Sequence, residues 1–296
     1  LEFRRVLFRS HIRMPTPIDK QDVVRMNRDT IYSAAVFDLD AAPVTLILPD
    51  AGQRFLSMLI VNEDHYAQEA FYAPGQRTYT RENMGTRYFI ALARTFANAN
   101  DPADIQTANE VQNAIEIQQE KSGTFMIPDW DPATHAQARE ALLALNALGG
   151  FPEHGNRFGK KEDVDPISWL LATAAGWGGN PRADAVYVPV IPPDNDGQTA
   201  YQLTFQDVPV DGFWSVTVYD QDGFMFANEE KAYSVNNVTA KRNADGSVAI
   251  QFGGDPQLAS NFLAIQPGWN YVIRLYRPQQ AILDGTWKAP EAQPIG

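Results

Sequence analysis

The 296-residue sequence contains no cysteine. That absence excludes disulfides, thiolate metal sites, iron–sulfur clusters and cysteine nucleophiles together. Histidine is scarce, with only His11, His65, His135 and His154. Positive charge is in deficit, 24 Lys and Arg against 36 Asp and Glu, a formal net charge of −12. Nucleic-acid backbones are held by clustered positive charge, so this balance argues against a nucleic-acid partner. It argues equally against adhesion to anionic membrane surfaces without a local basic patch. No apolar run approaches the roughly 20 residues needed to span a bilayer. Several catalytic signatures are missing as well. There is no Gly-x-Ser-x-Gly elbow, no Gly-x-x-x-x-Gly-Lys phosphate loop and no dinucleotide fingerprint after a strand. Gly176-Trp-Gly-Gly179 follows a helical stretch and reads as a C-cap and turn. What is present is 44% hydrophobic and 20% charged residues, the composition of a globular chain with a sizeable core. The length suits one large domain or two ordinary ones.

Residues 1–10, Leu-Glu-Phe-Arg-Arg-Val-Leu-Phe-Arg-Ser, carry no helix cap, strand alternation or signal-peptide shape. Back-translated, Glu2 to Ser10 can be written GAG TTC AGA CGT GTG CTC TTC CGA TCT, which resembles a short-read sequencing adapter. The stretch therefore reads as an artefact of metagenomic assembly, set aside in fold reasoning; the plainer alternative is a genuine basic arm. On the adapter reading the native N-terminus is missing, and any signal peptide with it.

From 31 to 72 the pattern predicts strands at 31–39, 44–48, 55–61 and 66–71, separated by the turn-forming Asp40-Ala-Ala-Pro43 and Pro49-Asp-Ala-Gly52. The middle predicts helices. In 81–97, Met84, Tyr88, Leu92 and Phe96 recur at a spacing of four. Three more segments open with Asp-Pro, at Asp101, Asp131 and Asp165, joining a preferred N-cap to a residue suited to the first helical position. They are expected to run to about Lys121, Leu148 and Gly176. Strands return from about 185, at 186–191, 200–205, 213–219, 248–252 and 271–276. Strands, helices, then strands argue for an α+β, mainly β fold. A faint echo links Phe55-Leu-Ser57 to Phe213-Trp-Ser215, which a repeated sandwich or shared β composition would equally explain.

The densest polar cluster is Arg25-Met-Asn-Arg-Asp-Thr-Ile-Tyr-Ser33, at a strand entrance. Asp29 is the candidate general base and Tyr32 the candidate donor to an oxyanion. Arg28 suits two-pronged binding of a carboxylate or phosphate, with Asn27 and Thr30 beside it. The competing reading is a structural network in which Asn27 and Asp29 satisfy backbone groups. A second set includes Trp214, Tyr233, Asn236 and Arg274, where an ordinary sandwich core also accounts for the aromatics. His65 lies beside Glu63 and Asp64; strand alternation would put Glu63, His65 and Ala67 on one side. A metal there is the weakest option, so neither metal nor cofactor is expected. Val218 to Glu229 partly matches a calcium loop but starts on a residue without a ligand oxygen, and reads as a hairpin turn.

Asn27-Arg-Asp-Thr-Ile-Tyr-Ser33, Gly176-Trp-Gly-Gly-Asn-Pro181, Asp211-Gly-Phe-Trp-Ser-Val-Thr-Val-Tyr219, Tyr233-Ser-Val-Asn-Asn237, Gly268-Trp-Asn-Tyr-Val-Ile-Arg-Leu-Tyr-Arg-Pro278 and Asp284-Gly-Thr-Trp-Lys-Ala-Pro290 together resemble a bacterial family. It pairs domain of unknown function 1254 with domain of unknown function 1214. The resemblance runs from about Pro15 to Pro294. It implies two antiparallel sandwich or jelly-roll-like domains, 15–80 and 185–296, with a helical segment at 81–180 between them. It implies no established reaction, and it favours a periplasmic or secreted location. The expected function is binding, or cofactor-independent hydrolysis, of a small polar or anionic molecule at an inter-domain cleft. Asp29 and Tyr32 would act there, with Asn27, Arg28, Thr30, His65, Trp214, Tyr233 and Arg274 contacting the ligand. The alternative is a non-catalytic structural or interaction module of the cell envelope, able to self-associate.

Overall fold

The computed structural model describes residues 10–149 and 157–295. Most of the stretch read as adapter, and His154, lie outside the described residues. Strand outweighs helix, 30% against 18%, so the fold is mainly β. The chain divides into two compact units. Among the described residues, the first holds those through Arg13, Ile31–Phe96 and those within Gln106–Arg182; the second holds Met14–Thr30, Ala97–Ile105 and those from Ala183 onward.

In the first unit the strands are β1 (Ser10–His11), β2 (Thr30–Asp38), β3 (Val44–Leu48), β4 (Leu56–Asn62), β5 (Ala67–Tyr72), β6 (Gly75–Tyr79), β7 (Tyr88–Phe96) and β8 (Glu116–Gln118). They form sheets of order β1-β2-β7-β4-β5 and β6-β3-β8. Strand β3 alternates as its sequence predicts, with Val44, Leu46 and Leu48 buried and Thr45 and Ile47 half-buried. Phe37, Leu46, Met58, Phe71 and Phe89, drawn from both sheets, share one core, the mark of a sandwich.

The helix expected over 81–97 is corrected. Only α1 (Arg81–Met84) is helical, closed by a Thr80–Asn83 capping box and by Gly85 at φ 72°. Residues Tyr88–Phe96 form a strand, buried at all nine positions, between β2 and β4. A spacing of four is also twice the strand repeat, so Tyr88 and Leu92 share a sheet face as readily as a helix face. Pairing on both edges decided between them. The second expected helix is shorter than predicted: α2 (Pro102–Asn113) ends early and β8 pairs with β3. Helices α3 (Pro132–Ala147) and α4 (Pro166–Ala175) follow their Asp-Pro openings. The Asp131 and Asp165 carboxylates accept from the Thr134 and Ser168 amides at 2.9 and 2.8 Å.

The second unit contains β9 (Ala185–Val190), β10 (Tyr201–Phe205), β11 (Trp214–Tyr219), β12 (Ser234–Asn236), β13 (Val248–Phe252), β14 (Phe262–Leu263), β15 (Asn270–Tyr276) and β16 (Gln293–Pro294), with the one-turn helix α5 (Gln280–Leu283). Its sheets have orders β12-β11-β15-β9 and β14-β13-β10-β16. Trp214, Phe252, Trp269 and Tyr271 lead a core shared by both sheets.

The two units repeat one strand order. Matching β2 to β9, β4 to β11, β5 to β12 and β7 to β15 converts β2-β7-β4-β5 into β9-β15-β11-β12. Matching β3, β6 and β8 to β10, β13 and β16 converts β6-β3-β8 into β13-β10-β16. The echo at Ser57 and Ser215 falls on equivalent strands, and each Ser is paired with a buried Arg, Ser57 with Arg94 and Ser215 with Arg274. Both arginines lie on the sheet face turned away from the sandwich core, and both donate to a covering segment. Arg94 reaches the Gly178 carbonyl at 2.7 Å and Asn180 Oδ1 at 2.9 Å. Arg274 reaches the Arg25 carbonyl at 2.7 Å and Thr217 Oγ1 at 3.0 Å.

Replacing either arginine by Met keeps bulk but strands buried carbonyls, a loss of about 1–3 kcal/mol each. Hydrogen exchange then locates the effect. Arg274→Met is expected to speed exchange in 14–30, and Arg94→Met in 176–182; uniform acceleration in either variant would show that the arginine does not fasten its segment.

Candidate functional site

The site is built where the 14–30 segment covers the second unit's sheet. Asn27 Oδ1 accepts from the Asp29 amide at 3.0 Å, the Thr30 amide at 3.1 Å and Thr30 Oγ1 at 3.2 Å. A short side chain that answers the amides two and three residues on is the Asx solution to starting an ordered segment. The Asn27 carbonyl in turn accepts from Thr16 Oγ1, and the Asp29 carbonyl from the Ala97 amide. Asp29 is thereby fixed just before β2 begins, with 2% of its surface exposed.

Its carboxylate faces β12. Oδ1 accepts from Ser234 Oγ at 3.0 Å and from Asn236 Nδ2 at 3.1 Å. Ser234 accepts from Thr217 at 3.4 Å, and Thr217 from Arg274 at 3.0 Å. The donors run one way, from guanidinium through two hydroxyls to carboxylate. Arg274 is held charged: burial works against the cation, but Tyr219, Tyr276 and Asp29 outweigh it and raise its pKa. Asp29 Oδ2 is buried and has no hydrogen-bond partner.

Asp29 lines a pocket of about 310 Å³, open mouth included, together with Arg28, Asn98, Ala99, Asn100, Lys231, Tyr233, Ser234, Asn236 and Thr239. Arg28 lies over the Tyr233 ring, 5.3 Å from its centroid, and donates one N–H to the Thr16 carbonyl. Burial lowers its pKa, while Tyr233 and Asp29 counteract that. Lys231 has φ 52°, a left-handed backbone uncommon for a side chain of this size and a conformation that recurs at binding sites.

Of the residues singled out in the sequence, Arg28, Asp29, Tyr233 and Asn236 line the pocket, and Asn27 and Thr30 position them. Arg274 stands behind Ser234. Trp214 belongs to the core, 4% exposed and 4.3 Å from Phe205. Tyr32 belongs to the first unit, where Arg94 lies over its ring. His65 also belongs there, and not to a strand: it occupies the turn between β4 and β5 at φ 70°. The alternation expected for Glu63, His65 and Ala67 therefore does not operate. His65 packs 5.8 Å from Trp177, and its Nε2 is buried without a hydrogen-bond partner. Among the described residues no group of three His, Asp or Glu could hold a metal ion. Sequence reasoning missed Asn98, Asn100, Lys231 and Thr239, which no motif marks. Ser234 could have been found inside Tyr233-Ser-Val-Asn-Asn237.

Two family models match the chain, each described as a protein of unknown function: DUF1254 over residues 9–84 and DUF1214 over residues 193–280. The chain belongs to the family that carries these two domains in this order. The first matched segment supplies Arg28 and Asp29 to the pocket; the second supplies residues 231–239. The fold is similar to that of the VPA0106 protein from Vibrio parahaemolyticus, with a TM-score of 0.72 at 18% identity over 92% of this chain and 90% of that one. An uncharacterized protein from Burkholderia cenocepacia gives a TM-score of 0.58 at 14% identity over 100% of this chain and 83% of that one. At these identities the likeness shows the fold alone. No curated protein matches the chain.

Burial holds the His65 pKa below its ordinary 6.5. Below about pH 6.5 the unfolded chain therefore binds a proton more readily than the folded one. The sign is that stability is present above that pH and lost as pH falls toward and through the folded pKa. Denaturant midpoints at pH 7 and pH 5 should converge in His65→Gln relative to wild type; an unchanged difference would assign the acid sensitivity to other groups.

Proposed function

We propose that the second unit binds a small anionic molecule in the pocket at Arg28 and Lys231. The observation that carries this reading is the local reversal of charge. The chain has a net charge of −12, yet its pocket gathers two cations against one carboxylate. Arg28 is preorganised by the Thr16 carbonyl and the Tyr233 ring. A guanidinium carries five N–H donors in a planar fork, so spending one on Thr16 leaves a two-pronged grip for a carboxylate or phosphate. Asn98 and Asn100 add neutral polar groups. In a hydrolytic variant of this reading, Asp29 is the group that takes a proton from an attacking water.

A second reading, as an interaction module, draws on the first unit. Met126, Trp130 and Leu148 are 66%, 67% and 81% exposed, and α3 has no buried residue. Exposed apolar side chains form contact surfaces where they adjoin. Light scattering across a concentration series, with Trp130→Ser as control, tests self-association on that surface.

Titration calorimetry with acetate, succinate, phosphate and sulfate tests the binding reading. Binding is expected to weaken about tenfold in Arg28→Ala, the loss of a charge-assisted hydrogen bond. Lys231→Ala and added salt should weaken it less, because that ammonium is exposed and screened. Absence of binding to any of these anions, or affinities indifferent to Arg28→Ala, would reject the reading. In the hydrolytic variant, Asp29→Asn retains the ligand and loses turnover.

A further inference from the structure

We propose that each unit is completed by the covering segment that leads into the other, an exchange within one chain, and that the two units therefore unfold as one.

The repeat seen in the strands extends to the segments that precede them. Arg94 and Arg274 occupy matching places on β7 and β15. Three residues beyond them stand Ala97 and Arg277. The Ala97 amide donates to the Asp29 carbonyl at 2.9 Å, and the Arg277 amide to the Asp184 carbonyl at 2.9 Å. Asp29 immediately precedes β2, and Asp184 immediately precedes the matching strand β9. The likeness continues upstream. The carbonyls gripped by the two arginines belong to Arg25 and Gly178. Two positions after each comes a buried asparagine, Asn27 and Asn180. Residues 14–29 and 176–184 are therefore equivalent arms leading into equivalent strands.

Their destinations are crossed. The arm that leads into β2, most of which belongs to the first unit, is fastened by Arg274 over the sheet of the second. The arm that leads into β9, in the second unit, is fastened by Arg94 over the sheet of the first. Both are held by more than the arginines. In the first arm, Gln21 Nε2 donates to the Met225 carbonyl at 2.7 Å and its Oε1 accepts from the Met225 amide at 2.9 Å. The Arg25 amide donates to the Gly223 carbonyl at 2.7 Å. In the second arm, Trp177 packs on the cluster that holds Leu59, Ile90 and Leu92.

An element swapped between two copies of a protein makes each copy's fold depend on the other. Here the two copies are the two units of one polypeptide. A unit opens alone when its core and its cover come from one stretch of chain. Neither unit meets that condition. Withdrawing either arm uncovers a buried arginine on one sheet and frees the lead-in to the first strand of the other. The loss is shared, so one transition replaces two.

Hydrogen exchange on the full chain across a denaturant series tests this, because global opening dominates exchange of core amides as denaturant rises. Amides of β4 and β7 report the first unit, and those of β11 and β15 the second. The wild type is expected to show one shared midpoint. Arg274→Met and Arg94→Met should each lower that midpoint in both units by the same amount. Gln21→Ala alters only the first arm's edge and should lower both midpoints together by less; it serves where an arginine variant does not fold. Separate midpoints in the wild type overturn the proposal. So does a variant that lowers only the unit its arm covers, or the absence of a shift in all three variants.

Discussion

The guanidinium of Arg274 is the constraint on which the second unit's site depends. It is a charge on a sheet face that is covered and almost wholly withdrawn from water. Such a charge is tolerated only if its donors are answered and an acid lies near enough to compensate it. The answers come from three directions. The Arg25 carbonyl belongs to the covering segment, Thr217 to the strand alongside, and the Tyr219 hydroxyl to the same sheet face. Tyr219 also donates to the Met26 carbonyl, and Arg25 donates to Asn270 Oδ1 at 2.6 Å. The segment is thus pinned at consecutive residues, immediately before Asn27, Arg28 and Asp29. Position and charge in the pocket follow from a bond network behind it.

The first unit uses the same device for a different result. Arg94 occupies the place of Arg274, but the carbonyl it grips is that of Gly178, and the segment it fastens carries Trp177 and Asn180. The inner faces diverge as well. Aligned on these arginines, Ala91 and Ala93 stand where the second unit has Tyr271 and Ile273. One strand order therefore accommodates small residues at these positions in one unit and large ones in the other. The polar pocket arises in the second unit because its covering segment brings Arg28 and Asp29, and Tyr233 and Asn236 rise from β12 and the loop before it. Strand order sets where a covering segment can be fastened; the segment's own residues set what the site can do.

Much of this was legible in the sequence, for reasons that can be stated. The alternation of 44–48 and the Asp-Pro helix openings are local signals, and the structure follows them because burial and capping act over a few residues. The spacing in 81–97 misled because a four-residue interval is common to helix and strand, and only pairing with β2 and β4 separates them. The Asn27–Ser33 cluster was visible as a concentration of polar groups. Its grouping of Asp29 with Tyr32 spans a boundary, because Thr30 and Ile31 straddle the passage from one unit to the other. Proximity along a strand says little where the chain changes partners. Asn98, Asn100 and Lys231 were invisible for the opposite reason: the two Asn come from one loop and Lys231 from another, and only folding brings them to one pocket.

The net charge has a consequence for recognition. A chain this acidic repels small anions at long range, so its surroundings do not concentrate them. On the proposed anion-binding reading, affinity would come from short-range contacts such as those of the Arg28 guanidinium held against the Tyr233 ring. Bulk repulsion and local attraction together favour a ligand whose own net charge is small.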